Sequence, residues 1–391
     1  MSPKGFLFST VEAAIKKPGR KDLALIYSEK EAVVAGVFTT NCIKAAPVKI
    51  DMKRIKSGRG QAVIINSGNA NACTGKKGLR DAVEMTVLTA RELSIKPSLV
   101  YVCSTGVIGL PMPMDRIRVK ISELVRDLGK SNLKDVAEAI MTTDTFPKIY
   151  KKTIKTEVGT GSIVGICKGA GMIYPQMATM LCFVLTDIAV RQDILERLIM
   201  ESVKRSFNRI SVDGDRSTND TLLIMANGML GNVPITAKST IYNSFRESLF
   251  EVTRELSKLI VKDGEGSTKL IEIEVRGARS EIDAEKCAFS VANSNLVKTA
   301  LYGNDANWGR IMAALGYSGV AVKEDRIDIF IGKVKVAHKG ISTGRDQKAN
   351  DVLKEKELKI IIDLNLGKSF AKILTCDLSE EYVKVNATYR T

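Results

Sequence analysis

Short apolar runs separated by turn residues fill the first fifty positions. Ala24-Leu-Ile-Tyr and Val33-Val-Ala-Gly-Val-Phe are two of them, and runs of this length bounded by turn formers predict β-strands. Gln61-Ala-Val-Ile-Ile predicts another strand, which empties into the amide-rich polar loop Asn66-Ser-Gly-Asn-Ala-Asn-Ala-Cys-Thr-Gly75. A helix is expected over residues 79–93, then a strand over Ser98-Leu-Val-Tyr-Val-Cys that ends in the small-residue turn Ser104-Thr-Gly-Val-Ile-Gly109. Ile117, Ile121, Leu124 and Leu128 recur at helical spacing after Pro113, and residues 133–141 predict one more helix. Ser162-Ile-Val-Gly-Ile-Cys and the wholly apolar 180–185 read as core strands. An amphipathic helix over 194–207 places Leu195, Leu198, Ile199 and Phe207 near one face. The clearest helix in the chain carries Tyr242, Phe245, Leu249, Val252, Leu256 and Leu259. A strand over 269–275 opens a mixed region. Strands are expected around 327–331, around 332–339 and over 358–364, and a last one over 381–391.

At 391 residues and 45% hydrophobic, the chain can bury a large core, enough for one large or two medium domains. No repeat, low-complexity tract or long linker divides it. No run of about 18 apolar residues predicts a membrane span, and the N-terminus lacks a signal-peptide core, so a cytoplasmic protein is expected. The formal charge of +15 suits small anions or nucleic acid, but the basic residues are dispersed and aromatics make up 5%. Nucleic acid is therefore not an expected partner, and neither is a membrane. The seven cysteines are scattered without a CxxC pair and read as inert, largely buried thiols. The single histidine, His338, excludes a three-histidine zinc site and reads as a surface strand residue. A hydroxyl nucleophile in this chain needs another base, and an N-terminal α-amine, with a pKa near 8, is one.

Candidate chemistry gathers in Lys168-Gly-Ala-Gly-Met-Ile-Tyr-Pro-Gln-Met-Ala-Thr-Met-Leu181. Glycines loosen the loop, and Thr179 places a hydroxyl at the mouth of the apolar strand that follows. Read locally, Thr179 is only a β-branched strand residue. The turn at Thr105 and Gly106 follows a strand and can aim a hydroxyl and backbone N–H groups at one point, although an ordinary turn has the same composition. Thr142-Thr-Asp-Thr-Phe-Pro-Lys is a hydroxyl cluster or a plain helix stop before Pro147. Ser211-Val-Asp-Gly-Asp-Arg-Ser-Thr-Asn-Asp220 lacks the EF-hand spacing and its closing Glu, so it reads as a structural acidic turn with no metal.

The Lys-Gly-x-Gly-Met-Ile-x-Pro-x-Met-Ala-Thr-Met-Leu motif resembles the self-cleaving segment of the ornithine acetyltransferase family, also called the bifunctional glutamate N-acetyltransferases of arginine biosynthesis. Further similar motifs follow the family's order: Ser104-Thr-Gly-Val-Ile-Gly, Lys262-Asp-Gly-Glu-Gly-Ser-Thr-Lys, Tyr302-Gly-Asn-Asp-Ala-Asn-Trp-Gly-Arg, and Tyr382-Val-Lys-Val-Asn-Ala-Thr-Tyr-Arg-Thr at the end. The resemblance covers essentially the whole chain. It implies an α/β (layered α+β) fold with sheets sandwiched by helices, in the manner of N-terminal-nucleophile proteins. It implies cleavage between Ala178 and Thr179 into fragments 1–178 and 179–391, two of each assembling as a heterotetramer with both fragments in one catalytic unit.

Thr179 then acts as nucleophile, with Thr105 and Gly106 as the oxyanion hole. Thr142 (with Thr143 and Thr145 as near alternatives), Lys168, Thr179, Glu265, Asn386 and Thr391 bind substrate. The implied reaction moves an acetyl group from N2-acetylornithine to L-glutamate without a cofactor, and acetyl-CoA is a second candidate donor. An N-terminal-nucleophile amidase or aminopeptidase, passing the acyl group to water, is the rival.

Overall fold

The computed structural model describes residues 2–174 and 180–388, in two compact units. The first is built from residues up to 169, the stretch ending at 208, and 216–260. The second takes the short segments 170–174 and 209–215 and the chain from 261 onward. Among the described residues, no helix is long and apolar enough to cross a membrane.

In the first unit the elements run in chain order β1 (Phe6–Val11), β2 (Leu23–Phe38), α1 (Ala46–Arg54), β3 (Arg59–Asn69), α2 (Gly75–Leu93), β4 (Val100–Val107), α3 (Met114–Arg126), α4 (Leu133–Ala139), β5 (Lys148–Thr156), β6 (Gly159–Lys168), β7 (Leu181–Thr186), α5 (Gln192–Arg205), β8 (Thr221–Ala226) and α6 (Tyr242–Lys262). The strands form one sheet in the order β4-β3-β2-β8-β7-β6-β5, with β1 paired to β2. β3 with β4 and β7 with β8 are parallel, and the remaining pairs are antiparallel.

Both faces of this sheet are covered, so its central strands are apolar at every position rather than at alternate ones. Period-2 geometry still sorts them. Val63 and Ile65 of β3 join Tyr101, Phe183 and Leu223 around Val136, Ala137 and Ile140 at α4. Ala62 and Ile64 face the opposite way, onto Met85 of α2 and Ile117, Ile121 and Leu124 of α3. β7 and β8 have no exposed residue, so each reads as a continuous apolar run.

The sheet is strongly coiled. β4 and β6 lie five strand spacings apart in hydrogen-bonding order, which is about 24 Å in a flat sheet. Yet Lys168 at the end of β6 reaches Thr105 at the end of β4 at 3.2 Å. The long β2 supplies a hinge. Its pairing with β3 shifts register between Tyr27 and Ala32, and only its far half pairs with β8. A bulge of this kind increases local twist and bends the strand.

The second unit carries β9 (Leu270–Ala278), α7 (Glu281–Ala292), α8 (Asn295–Tyr302), α9 (Trp308–Gly316), β10 (Asp328–Ile331), β11 (Val334–His338), β12 (Ile341–Ser342), α10 (Asp346–Val352), β13 (Glu357–Asp363), β14 (Ser369–Cys376) and α11 (Glu380–Ala387). Its sheet runs β12-β11-β10-β13-β9-β14, with β9 and β13 parallel. One face is a core of Ile271, Ile273, Ile360 and Ile373 under Ala288 and Val291 of α7 and Leu315 of α9. The other face is a charge ladder, in which Lys359 and Lys372 each pair with both Glu272 and Glu274. One buried and one wet face give this sheet the alternation that the first one lacks.

Three expectations are corrected. Among the described residues, the segment expected as a strand from 381 onward is instead the helix α11, through Ala387. Tyr382-Val-Lys-Val alternates like a strand, but Ser379 accepts a hydrogen bond from Glu381 N–H, and Glu380 and Glu381 fill the first turn. A capped start with acidic residues at the positive end of the dipole outweighs the weak period-2 signal. The turn expected over 104–109 begins later, because β4 continues through Val107. The mixed region after β9 holds three helices, α7, α8 and α9, whose caps Ser280 and Ser294 mark the first two starts.

Candidate active site

β4 delivers the first pair of expected residues. Thr105 lies opposite Ser67 of β3 and Gly106 opposite Gly68, and the register slips just beyond. Gly106 sits at φ +134°, where L side chains are rare, and a Cβ there would lie 2.2 Å from the Gly68 carbonyl carbon. Only glycine lets the two backbones approach this closely. Thr105 is 6% exposed and Lys168 3%, and the Lys168 ammonium donates to Thr105 Oγ1 at 3.2 Å.

Beneath them lies a buried charge cluster whose parts composition does not reveal. Asp144 accepts from Lys148 Nζ at 2.7 Å, and both side chains are shut off from solvent. The same carboxylate accepts from Gly169 N–H at 2.6 Å and from Thr142 N–H at 3.0 Å. Burial alone would raise its pKa, but Lys168 and Lys148 nearby and the N–H donors outweigh burial and hold it at about 2. Thr142 thus enters the cluster through its backbone. Thr143 is half-buried and Thr145 exposed.

Since its folded pKa is depressed, Asp144 contributes stability that is present above about pH 4 and is lost as pH falls toward 2. Asp144→Asn should destabilise the protein at pH 7 by about 3–5 kcal/mol, because it removes the carboxylate that is ion-paired with the buried Lys148. Thermal melts of both proteins between pH 7 and pH 2 should show the gap closing as the wild-type carboxylate protonates. A constant gap would mean that the charge is irrelevant.

Ala178 and Thr179 lie outside the described residues, but the residue that follows them is tightly placed. Met180 N–H donates to Asp220 Oδ1 at 3.1 Å, and Met180 C=O accepts from Thr221 N–H at 3.1 Å. Leu181 pairs with Lys168 across β6 and β7. Asp220 is completely buried, which pushes its carboxyl well above the usual range, against the Met180 hydrogen bond and the nearby Lys168. Asn219 donates to the carbonyls of Ala70 at 2.6 Å and Ser104 at 2.7 Å, tying the approach to β8 to β4 and to the end of β3. The acidic loop 211–220 therefore has a structural role, as its spacing suggests, and its last two residues reach the candidate site. Sequence reasoning missed Asn219, Asp220, Asp144 and Lys148 as site residues. The available signal was a run of carboxylates and amides between predicted core elements, where each must find a partner.

In the second unit, Asn386 Nδ2 donates to Glu265 Oε2 at 2.7 Å. Glu265 N–H donates to Ala170 C=O at 2.9 Å, and a Cβ on Gly171 would fall 2.3 Å from the Glu265 carboxylate. The glycine-rich loop is thus pressed against Glu265, and Gly171 leaves the carboxylate its room. Asp213 accepts from Met172 N–H at 2.5 Å and Ile173 N–H at 2.9 Å, holding the next two residues of that loop. Burial pushes its carboxyl up to about 6, against the pull of the backbone donors. Tyr382 OH approaches Asp213 at 3.4 Å, and burial, then the Asp213 charge, raises the Tyr382 phenol. Thr391 lies outside the described residues.

A family model described as the ArgJ family matches residues 7–391. The chain belongs to the ArgJ family. It is 55% identical over 394 residues to the arginine biosynthesis bifunctional protein ArgJ of Geobacter sulfurreducens, with 100% of both chains covered. It is 50% identical to the protein of the same name from Caldanaerobacter subterraneus, covering 100% of this chain and 98% of that one. The crystal structure of the arginine biosynthesis bifunctional protein ArgJ from Bacillus halodurans is similar at 42% identity and a TM-score of 0.51. That match covers 97% of the solved chain and 52% of this one. Membership in the ArgJ family bears out the expected resemblance, and the layered α/β architecture bears out the expected fold.

His338 is an exposed residue of β11 whose Nδ1 lies 2.9 Å from Asp328 Oδ1, as expected of a surface strand position. Five of the seven cysteines are buried, while Cys42 and Cys73 are exposed.

Proposed function

We propose that the protein moves an acetyl group from N2-acetylornithine to L-glutamate through an acetyl ester on Thr179. As a member of the ArgJ family it is an acyltransferase of arginine biosynthesis. The Thr179 hydroxyl attacks the acetyl carbonyl, and its own α-amine, freed by cleavage after Ala178, takes the proton. The Thr105 hydroxyl and the Gly106 N–H donate to the oxyanion. Ornithine leaves with that proton, glutamate's amine attacks the ester, and Thr179 is regenerated.

Glu265 offers its carboxylate to the amino acid's ammonium group, with Asn386 fixing the carboxylate in place. Thr142, Lys168 and Thr391 complete the contacts to substrate. Neither half-reaction needs a cofactor, and acetyl-CoA serves as a second donor in the first one. Fragments 1–178 and 179–391 stay together, two of each in a heterotetramer. The half-length chain of the solved Bacillus halodurans relative supports a chain that exists as two pieces.

One contact carries the proposal: a buried ammonium meets the Thr105 hydroxyl beside the strand pair into which Thr179 leads. The test incubates the purified protein with glutamate and N2-acetylornithine, or with acetyl-CoA instead, and measures N-acetylglutamate and acetate. N-acetylglutamate is expected from the first donor. Acetate with no N-acetylglutamate would make the protein an amidase. Glu265→Gln should raise KM by about 10–100-fold, the value of one charge-assisted hydrogen bond, with little change in kcat.

A further inference from the structure

Lys168 has a donor-only side chain, and that settles the direction of a proton. An ammonium has three N–H donors and no acceptor, so in the 3.2 Å contact Thr105 Oγ1 must accept. The hydroxyl has one proton, which must then point away from Lys168. Among the described residues, Lys168 is the one hydrogen-bond partner of the Thr105 hydroxyl. Lys168 itself cannot drift. It ends β6, its backbone pairs with Leu181, it is 3% exposed, and the Asp144 carboxylate beside it is pinned by Lys148 and the Gly169 and Thr142 N–H groups.

We propose that Lys168 is a positioning residue for the oxyanion hole: it takes the acceptor side of the Thr105 hydroxyl, so that the hydroxyl proton is presented outward to the developing oxyanion. This deepens the acetyltransferase reading and rests on it. The arrangement raises the oxyanion stabilisation twice over. The hydroxyl is oriented before the reaction begins, and the nearby cation strengthens the O–H as a donor. Asp144 keeps the cation in place and balances part of its charge. A carboxylate clamp, the role expected of Lys168 from the family resemblance, acts on substrate binding. A positioning role acts on the chemical step, whatever the donor carries.

p-Nitrophenyl acetate separates the two, because it has no amino-acid carboxylate for Lys168 to hold. In that reaction the Thr179 Oγ–acetyl bond forms and the acetyl–nitrophenolate bond breaks. The hydroxyl proton passes to the α-amine, and nitrophenolate leaves and is read by its absorbance. Rates are taken per cleaved molecule. Thr105→Ala should slow acetylation by about 10²–10³-fold and Lys168→Met by about 10–100-fold. The double variant should be no slower than Thr105→Ala alone, since Lys168 acts through that hydroxyl.

Lys168→Arg keeps a donor-only cation and should recover most of the rate. A Lys168→Met protein at wild-type rate, with only its KM for N2-acetylornithine raised, would overturn the proposal. So would losses that multiply in the double variant, or Lys168→Arg with a wild-type melting temperature and no recovery. The uncleaved Thr179→Ala protein, its rate taken per mole of chain, reads the underlying assignment separately. If it releases nitrophenolate at the wild-type rate, the nucleophile lies elsewhere and the positioning role falls with it.

Discussion

Thr179→Ala protein is expected to run as a single full-length band and to transfer no acetyl group, while the wild type runs as two bands. Both losses come from one oxygen. In the proposed self-cleavage the Thr179 hydroxyl attacks the carbonyl of Ala178, the shift of the acyl group from nitrogen to oxygen frees the α-amine, and water then hydrolyses the ester to leave the Ala178 carboxylate. In transfer the same oxygen carries the acetyl group, with that amine as base. An alanine can do neither, and loss of a nucleophile typically costs about 10⁴–10⁶ in kcat. The flanking frame survives the substitution, since Met180 is held through its own N–H by Asp220 and through its C=O by Thr221, groups that the change leaves alone. Thr179→Ser keeps the hydroxyl and should still cleave. Mass spectrometry of both proteins decides the matter. A Thr179→Ala chain that splits between residues 178 and 179 would remove Thr179 from the chemistry.

The parts of this molecule that announced themselves in sequence are those where one local signal dominates. β7 is a six-residue apolar run, and α6 places Phe245, Leu249, Val252 and Leu256 on one buried stripe, so periodicity alone locates both. Glu265 between two glycines and Thr105-Gly106 after a strand were singled out by motif. The structure gives them partners that chain order does not show, Asn386 for the first and Lys168 for the second. The Thr105–Lys168 contact depends on the coiling of the first sheet, where β2 shifts register far from either residue in sequence. The Glu265–Asn386 contact depends on how α11 folds back within the second unit. α11 was misread because alternation over four residues carries less information than a serine cap followed by two acidic residues. The Asp144–Lys148 pair illustrates the hardest case. Two charged residues four apart in a polar stretch read as a solvated turn, and only the tertiary fold buries both completely.

Gly106→Ala should cost stability and catalysis together. At φ +134° an alanine is strained before any neighbour is considered. Its Cβ would also meet the Gly68 carbonyl carbon at 2.2 Å and Asn69 N at 2.5 Å, and these are backbone atoms that cannot swing aside as a side-chain tip would. β3 has little freedom to recede. Asn69 Nδ2 donates to Leu110 C=O at 3.2 Å and Pro111 C=O at 3.0 Å, and Ala70 N–H is held by Val107 C=O at 3.0 Å. Backbone strain of this kind, with local loss of strand pairing, costs about 3–5 kcal/mol, or roughly 4–6 °C in Tm for a chain of 391 residues. Any shift that relieves the clash also moves the Gly106 N–H, the second donor of the proposed oxyanion hole, so acetyl transfer should fall by at least about 10²-fold in whatever folds. Thr105→Ala is the control, because it removes a hydroxyl from the same strand without adding an atom, and should lose activity at a nearly unchanged Tm. Melting curves and transfer rates on the two variants therefore separate packing from chemistry. A Gly106→Ala protein with wild-type Tm and rate would mean that β3 and β4 can part here, and that the Gly106 N–H does not serve the oxyanion.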